Sequence, residues 1–127
     1  MTGFDAVDRV YRDLIGLELS LEGGIYQLTK PMRIEEDEFI VINALPVLET
    51  ELQIAHVNVN VFVRDVEPGT PNNDRLKTLV DQINELYPFG AVGQDIQVFK
   101  DRTAIIADDD YERHYVNILL KVIMLNK

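Results

Sequence analysis

The segment from Ala55 to Asp65, AHVNVNVFVRD, constrains the fold of this chain more than any other stretch. Valine occupies every second position, and the positions between hold His56, Asn58, Asn60, Phe62 and Arg64. Because successive side chains of a β-strand point to opposite faces, this alternation predicts a strand with one buried face. Four buried valines would contribute on the order of 6 kcal/mol. The polar side chains opposite them would each cost roughly 1–3 kcal/mol in a dry core without partners, so the second face must meet water or a hydrogen-bonding partner.

Two further stretches carry apolar residues at helical spacing. The first stripe runs from Phe4 to Ile15, and the second runs from Leu76 to Tyr87. Asn73 is the predicted N-cap of the second helix, and Pro88 is predicted to end it. Strands are predicted over residues 25–28, 39–45, 55–65, 95–99, 103–107 and 111–125, with a tight connection at residues 100–102. The order helix, three strands, helix, three strands predicts an α+β fold, an antiparallel or mixed sheet of about five to six strands with two helices packed on one face.

Length and composition narrow the class of protein. The 127 residues are expected to form a single domain over residues 1–127, and the chain has no cysteine, which excludes thiol catalysis and disulfides. The sequence has neither a signal-peptide pattern nor eighteen consecutive apolar residues, so we expect a soluble protein with no membrane partner. With 12 Lys and Arg against 22 Asp and Glu, the net charge is −10. Phosphate backbones should be repelled, and no sequence-specific nucleic-acid binding is expected.

Candidate catalytic residues are sparse. The two histidines, His56 and His114, each lie inside a strand pattern, and neither belongs to a motif with metal-ligand spacing. We expect no catalytic residue, no metal and no cofactor. One alternative of another class stays open, a small metal-dependent hydrolase that uses both histidines and the acidic turn Asp108–Asp110.

The final predicted strand, residues 111–125, also places a mainly apolar set of side chains on one face and a mixed polar and apolar set on the other. If the two strands are neighbours, one mixed surface would hold Asn58, Asn60, Phe62, Tyr115, Asn117, Leu119 and Lys121. Mixed polar and aromatic composition with few acids is typical of protein–protein surfaces. An ordinary solvated sheet face is the other interpretation.

The order of elements and several stretches resemble the tail terminator, or tail-completion, proteins of long-tailed bacteriophages and prophages. These stretches are GGIYQL, EFIVINAL, HVNVNVFVRD, DRLKTLVDQINELY and HYVNILLKVIML. The resemblance implies a non-enzymatic structural protein that forms a ring, typically a hexamer, on the last ring of the tail tube. Its partners would be copies of itself, the tail tube protein and a head-completion or connector protein. Its location would be the virion tail, and the host bacterial cytoplasm during assembly. A head-completion, connector or other minor virion protein is the nearest alternative.

The resemblance also implies roles for residues already singled out. Subunit contact is expected at Asn58, Asn60, Phe62, Tyr115, Asn117 and Lys121, where Asn60→Asp with Asn117→Asp should abolish assembly and leave the fold intact. Acidic residues expected to line a channel for DNA are Glu35, Glu36, Asp37, Glu38, Asp108, Asp109 and Asp110. A flexible docking loop is expected at Glu67, Pro68, Gly69, Thr70 and Pro71.

Overall fold

The computed structural model describes residues 3–27, 37–45, 48–49, 52–86, 96–107 and 112–125. Its elements are α1 (Gly3–Gly16), β1 (Ile25–Gln27), β2 (Glu38–Ala44), β3 (Leu48–Glu49), β4 (Leu52–Arg64), α2 (Asn73–Asn84), β5 (Ile96–Ala107) and β6 (Arg113–Leu125). The predicted α+β class is confirmed. No helix in the described part of the chain is long and apolar enough to cross a membrane.

The sheet has the strand order β1-β2-β4-β6-β5, and the short β3 pairs with the beginning of β4. All pairs are antiparallel except β1 with β2, which makes the sheet mixed. The valine-rich strand β4 lies at the centre, and its neighbour is the final strand β6, with Asn60 opposite Asn117. The two strands whose polar faces look alike in the sequence therefore do share one surface.

Both helices pack on the valine face of the sheet. The main contacts of α1 are with β1, β2 and β4, and those of α2 are with β4 and β6. The core joins Val59 of β4 to Leu79 of α2, both fully buried, as the two patterns predict. Burying one such side chain contributes about 1.5–3 kcal/mol. In α1 the predicted stripe is too long, because Phe4 and Ile15 are exposed at the two ends of the helix.

Two local predictions need correction. The N-cap of α2 is Asn72 rather than Asn73, because the Asn72 side chain accepts a hydrogen bond from the backbone N–H of Arg75. The predicted turn at residues 100–102 does not exist, since β5 is one continuous strand with Asp101 as an extra residue in the register. Strand β6 is long enough to pair along all of β5, so the charged residues lie in a bulge at the sheet edge instead of a turn.

Candidate functional site

The polar face of β4 carries a ladder of asparagines. Asn58 Nδ2 donates to Asn43 Oδ1 on β2 at 2.9 Å. Asn117 Nδ2 on β6 donates to Asn58 Oδ1 at 3.1 Å and to Asn60 Oδ1 at 2.8 Å. These side chains are distant in sequence but adjacent across three strands, and each bond of this kind contributes about 1 kcal/mol. The side-chain amides on this face therefore form hydrogen bonds with one another within the chain.

An aromatic row crosses the same face above the asparagines. Phe62 stacks between Phe39 and Tyr115, with ring centroids 4.6 Å apart on each side. Tyr26 meets Phe39 edge to face at 6.3 Å, and the Arg113 guanidinium lies 5.4 Å from the centroid of the Phe39 ring. Such ring pairs contribute about 0.5–1.5 kcal/mol each beyond the area that they bury. This row is a second, smaller core on the face away from the helices.

The six residues of the predicted contact surface thus lie on one face of the sheet, but their side chains are less exposed to solvent than a contact surface requires. Asn60 and Phe62 are buried, and Asn58, Tyr115, Asn117 and Lys121 are partly buried. Because Asn117 donates two bonds that hold the ladder, the aspartate substitutions expected to spare the fold would instead damage it. A role in subunit contact stays a prediction for the half-exposed members of this face.

A cluster of charged side chains lies at the end of the sheet where β4 finishes. Arg75 of α2 binds Glu38 of β2 through Nε and through Nη2, the latter at 2.8 Å from Glu38 Oε1, and Nη2 also donates to the Ser20 carbonyl. The hydrogen bond to Glu38 is the main cause that raises the pKa of Arg75. The Glu38 side chain is only 6% exposed, so it is held by this ion pair and is not free to line a channel.

A second arginine, Arg64, forms ion pairs with two neighbouring acids. Arg64 Nε donates to Asp37 at 2.7 Å, and Arg64 Nη1 donates to Glu112 at 2.9 Å. The hydrogen bond to Asp37 is the main cause that raises the pKa of Arg64. Asp37 is exposed, and it shares the single charge of Arg64 with Glu112, so its negative charge is only partly offset. The other five acids of the predicted channel lining, Glu35, Glu36, Asp108, Asp109 and Asp110, lie outside the described residues.

These charged residues border an open cleft of about 570 Å³ between the α2 N-terminus and the ends of β2 and β4. On its floor the buried carboxylate of Asp65 contacts His114 Nδ1 at 2.7 Å and accepts from the Gly69 N–H at 3.2 Å. Each carboxylate and guanidinium named above already has a partner of opposite charge or a hydrogen-bond donor. The ion pairs and hydrogen bonds around the cleft therefore connect the strands and α2 at this end of the sheet.

The two histidines of the hydrolase alternative lie far apart. His56 lies opposite Lys121 on the polar face, whereas His114 lies opposite Val63 on the helix face. Seven residues of β4 separate these positions, which is roughly 23 Å at about 3.3 Å per residue. A single metal cannot bind both side chains. Among the described residues, no group of three His, Asp or Glu side chains could hold a metal ion.

The predicted docking loop is exposed, but it is an ordered turn. Val66 N–H donates to the Thr70 carbonyl at 3.1 Å, and Thr70 N–H donates to the Glu67 carbonyl at 2.8 Å. Gly69 has a φ of +84°, a conformation that glycine adopts without strain. The Asp65 carboxylate bonds to this glycine, so the turn is tied to the charged cluster.

The sheet edge at β5 is a feature that the sequence patterns missed. Ile105 is 64% exposed and Ile106 is 39% exposed, and the two side chains lie on opposite faces of the edge strand. Lys100 and Arg102, on the same strand, are exposed and form no ion pair with a described residue. The run TAIIA is visible in the sequence, but its place at the edge depends on the strand order.

No protein-family model matches this sequence, and no curated protein matches it.

Proposed function

We propose that the protein is a non-enzymatic structural component that assembles with copies of itself into a ring and terminates a phage tail tube. The observation that carries self-assembly is the exposed pair Ile105 and Ile106 on the edge of β5 that no described strand pairs with. The resemblance of the chain to tail terminators supplies the biological setting. The α+β fold is compatible with that family, and the net charge of −10 suits a ring through which DNA passes without adhering.

An exposed apolar edge strand is a hazard that monomeric proteins avoid. They place charges, prolines or bulges on such edges, because a row of free N–H and C=O groups pairs readily with another chain. The middle of β5 follows that rule with Lys100, Asp101 and Arg102, but the stretch from Thr103 to Ala107 does not. Since Ile105 and Ile106 lie on opposite faces, packing against one face cannot cover both. A strand added to the edge covers both, so the edge is suited to another protein chain.

The first test is the mass of the purified protein. The proposal predicts particles at a multiple of the 14.5 kDa subunit mass in light scattering, and a shift towards monomer in Ile105→Lys. Val66→Lys is the matched control, because Val66 is 60% exposed but lies in the turn after β4, on neither β1 nor β5. Equal effects of the two substitutions would contradict the assignment of the edge.

The second test concerns the tail. Reading frames next to the gene should encode a tail tube protein and a tape-measure protein. When that tube protein is polymerised with the wild-type protein, electron microscopy should show shorter tubes with a cap at one end. A protein that stays monomeric in solution and leaves tube length unchanged would refute the proposed function.

A further inference from the structure

We propose that the free edge of β5 pairs with the free edge of β1 in the next copy, so that one sheet continues from subunit to subunit. This inference rests on the proposed self-assembly and names the surface that the β5 edge binds. Within the described residues, β1 and β5 are the two ends of the strand order, and each has a neighbour on one side only.

The two free edges lie at the same level of the sheet. Following the register across the strands, Ile25 is aligned with Ile40, Val61, Val116 and Ile105. In the same way Tyr26 is aligned with Ala104, and Gln27 is aligned with Thr103. The exposed end of β5 therefore sits directly across the sheet from β1.

The strand directions also fit. β1 is parallel to β2, β2 is antiparallel to β4, β4 to β6, and β6 to β5. β1 and β5 consequently run in opposite directions, so copies that stand side by side in the same orientation present antiparallel edges to each other. Antiparallel pairing forms straight hydrogen bonds and needs no crossover connection.

The side chains match in that register. Ile25 and Ile105 both lie on the helix face, Tyr26 and Ala104 both lie on the polar face, and Gln27 meets Thr103. The next pair places Ile106 opposite Gly24, beside which the Tyr26 ring lies, so Ile106 would meet that ring. Apolar residues thus meet apolar residues, a large ring meets a small methyl group, and the two polar residues meet each other.

The common level of the two edges also favours a closed ring. A head-to-tail contact uses two different surfaces, and it closes into a ring only when repetition adds no rise along the axis; otherwise it grows into a helical filament. Because the β1 and β5 edges are level, repeated pairing adds little displacement along the strands. Pairing of β5 with β5 of a second copy would instead stop at a dimer and leave both β1 edges free.

Engineered cysteines test this contact directly, since the chain has none of its own. Gln27 and Thr103 are exposed, and in one chain they are four strand spacings apart, roughly 19 Å at about 4.8 Å each. A disulfide requires Cα atoms within about 7 Å, so the pair Gln27→Cys with Thr103→Cys can bond only between copies. Oxidation of this double variant should give a ladder of covalent oligomers on a non-reducing gel, up to the ring size.

Matched variants separate the possible outcomes. Gln27→Cys with Gln97→Cys should give no ladder, because Gln97 is exposed but lies near the other end of β5. Covalent dimers from Thr103→Cys alone would show β5–β5 pairing and overturn the proposed contact. A wild-type oligomer combined with no Gln27–Thr103 cross-link would also overturn the contact while leaving self-assembly intact. A monomeric wild type that forms no cross-link would overturn both proposals.

Discussion

Replacing Asn117 with aspartate should reduce the free energy of unfolding by roughly 2–4 kcal/mol at pH 7. The Asn117 side chain donates to the oxygens of Asn58 and Asn60, at 3.1 Å and 2.8 Å. An ionised aspartate has no hydrogen to donate, so two bonds of about 1 kcal/mol each are lost. Repulsion between the new carboxylate and the two amide oxygens adds to that loss. Against a total stability of about 5–15 kcal/mol, this effect is easily measured.

Asn43→Asp is the matched control on the same face. The Asn43 side-chain oxygen accepts a bond from Asn58 at 2.9 Å, and a carboxylate accepts the same bond. This variant should therefore change stability by less than about 1 kcal/mol. Urea unfolding followed by far-ultraviolet circular dichroism gives both values. Equal losses in the two variants would refute the donor and acceptor directions of the ladder.

The pH dependence of the Asn117→Asp variant provides an independent check. Partial burial and facing oxygens favour the neutral acid, so the folded-state pKa of the new carboxyl should lie above its unfolded value of about 3.9. The part of the loss that comes from ionisation is then complete above the folded-state pKa, and it disappears as pH falls below the unfolded one. The neutral acid has one O–H and can restore at most one of the two bonds. The gap between wild type and variant should narrow as the solution is acidified, and a constant gap would contradict this explanation.

Three other substitutions can be measured in the same unfolding assay. Arg75→Met should cost about 3 kcal/mol because it leaves the buried carboxylate of Glu38 without its partner, and the loss should shrink when Glu38→Gln is added. Since the pKa of Arg75 is raised, its stabilising charge persists until very alkaline pH, and the loss should be constant between about pH 7 and 10. Asn72→Ala should cost about 1 kcal/mol and Asn73→Ala much less, because Asn72 is the observed cap. Leu79→Ala should cost about 2–5 kcal/mol, since Leu79 is fully buried between α2 and the sheet.

Some features of this protein follow from the sequence alone. The valines of β4 and the stripes of both helices predicted the fold class and the centre of the core, since the period of apolar residues reports which side of an element is buried. The absence of cysteine excludes thiol catalysis and disulfides, and the excess of acidic residues argues against a nucleic-acid-binding surface. In each case the relevant residues are close together in the chain.

Only the tertiary structure decided the rest, because strand order brings distant residues together. Asn117 and Asn58 are 59 residues apart in sequence and share a hydrogen bond, so the polar face of β4 has partners that no local pattern reveals. Glu38 looks like part of a solvated acidic run, yet Arg75, 37 residues further along, holds it in a buried ion pair. Ile105 would be an ordinary core residue in a central strand and is an assembly candidate only because β5 lies at the edge.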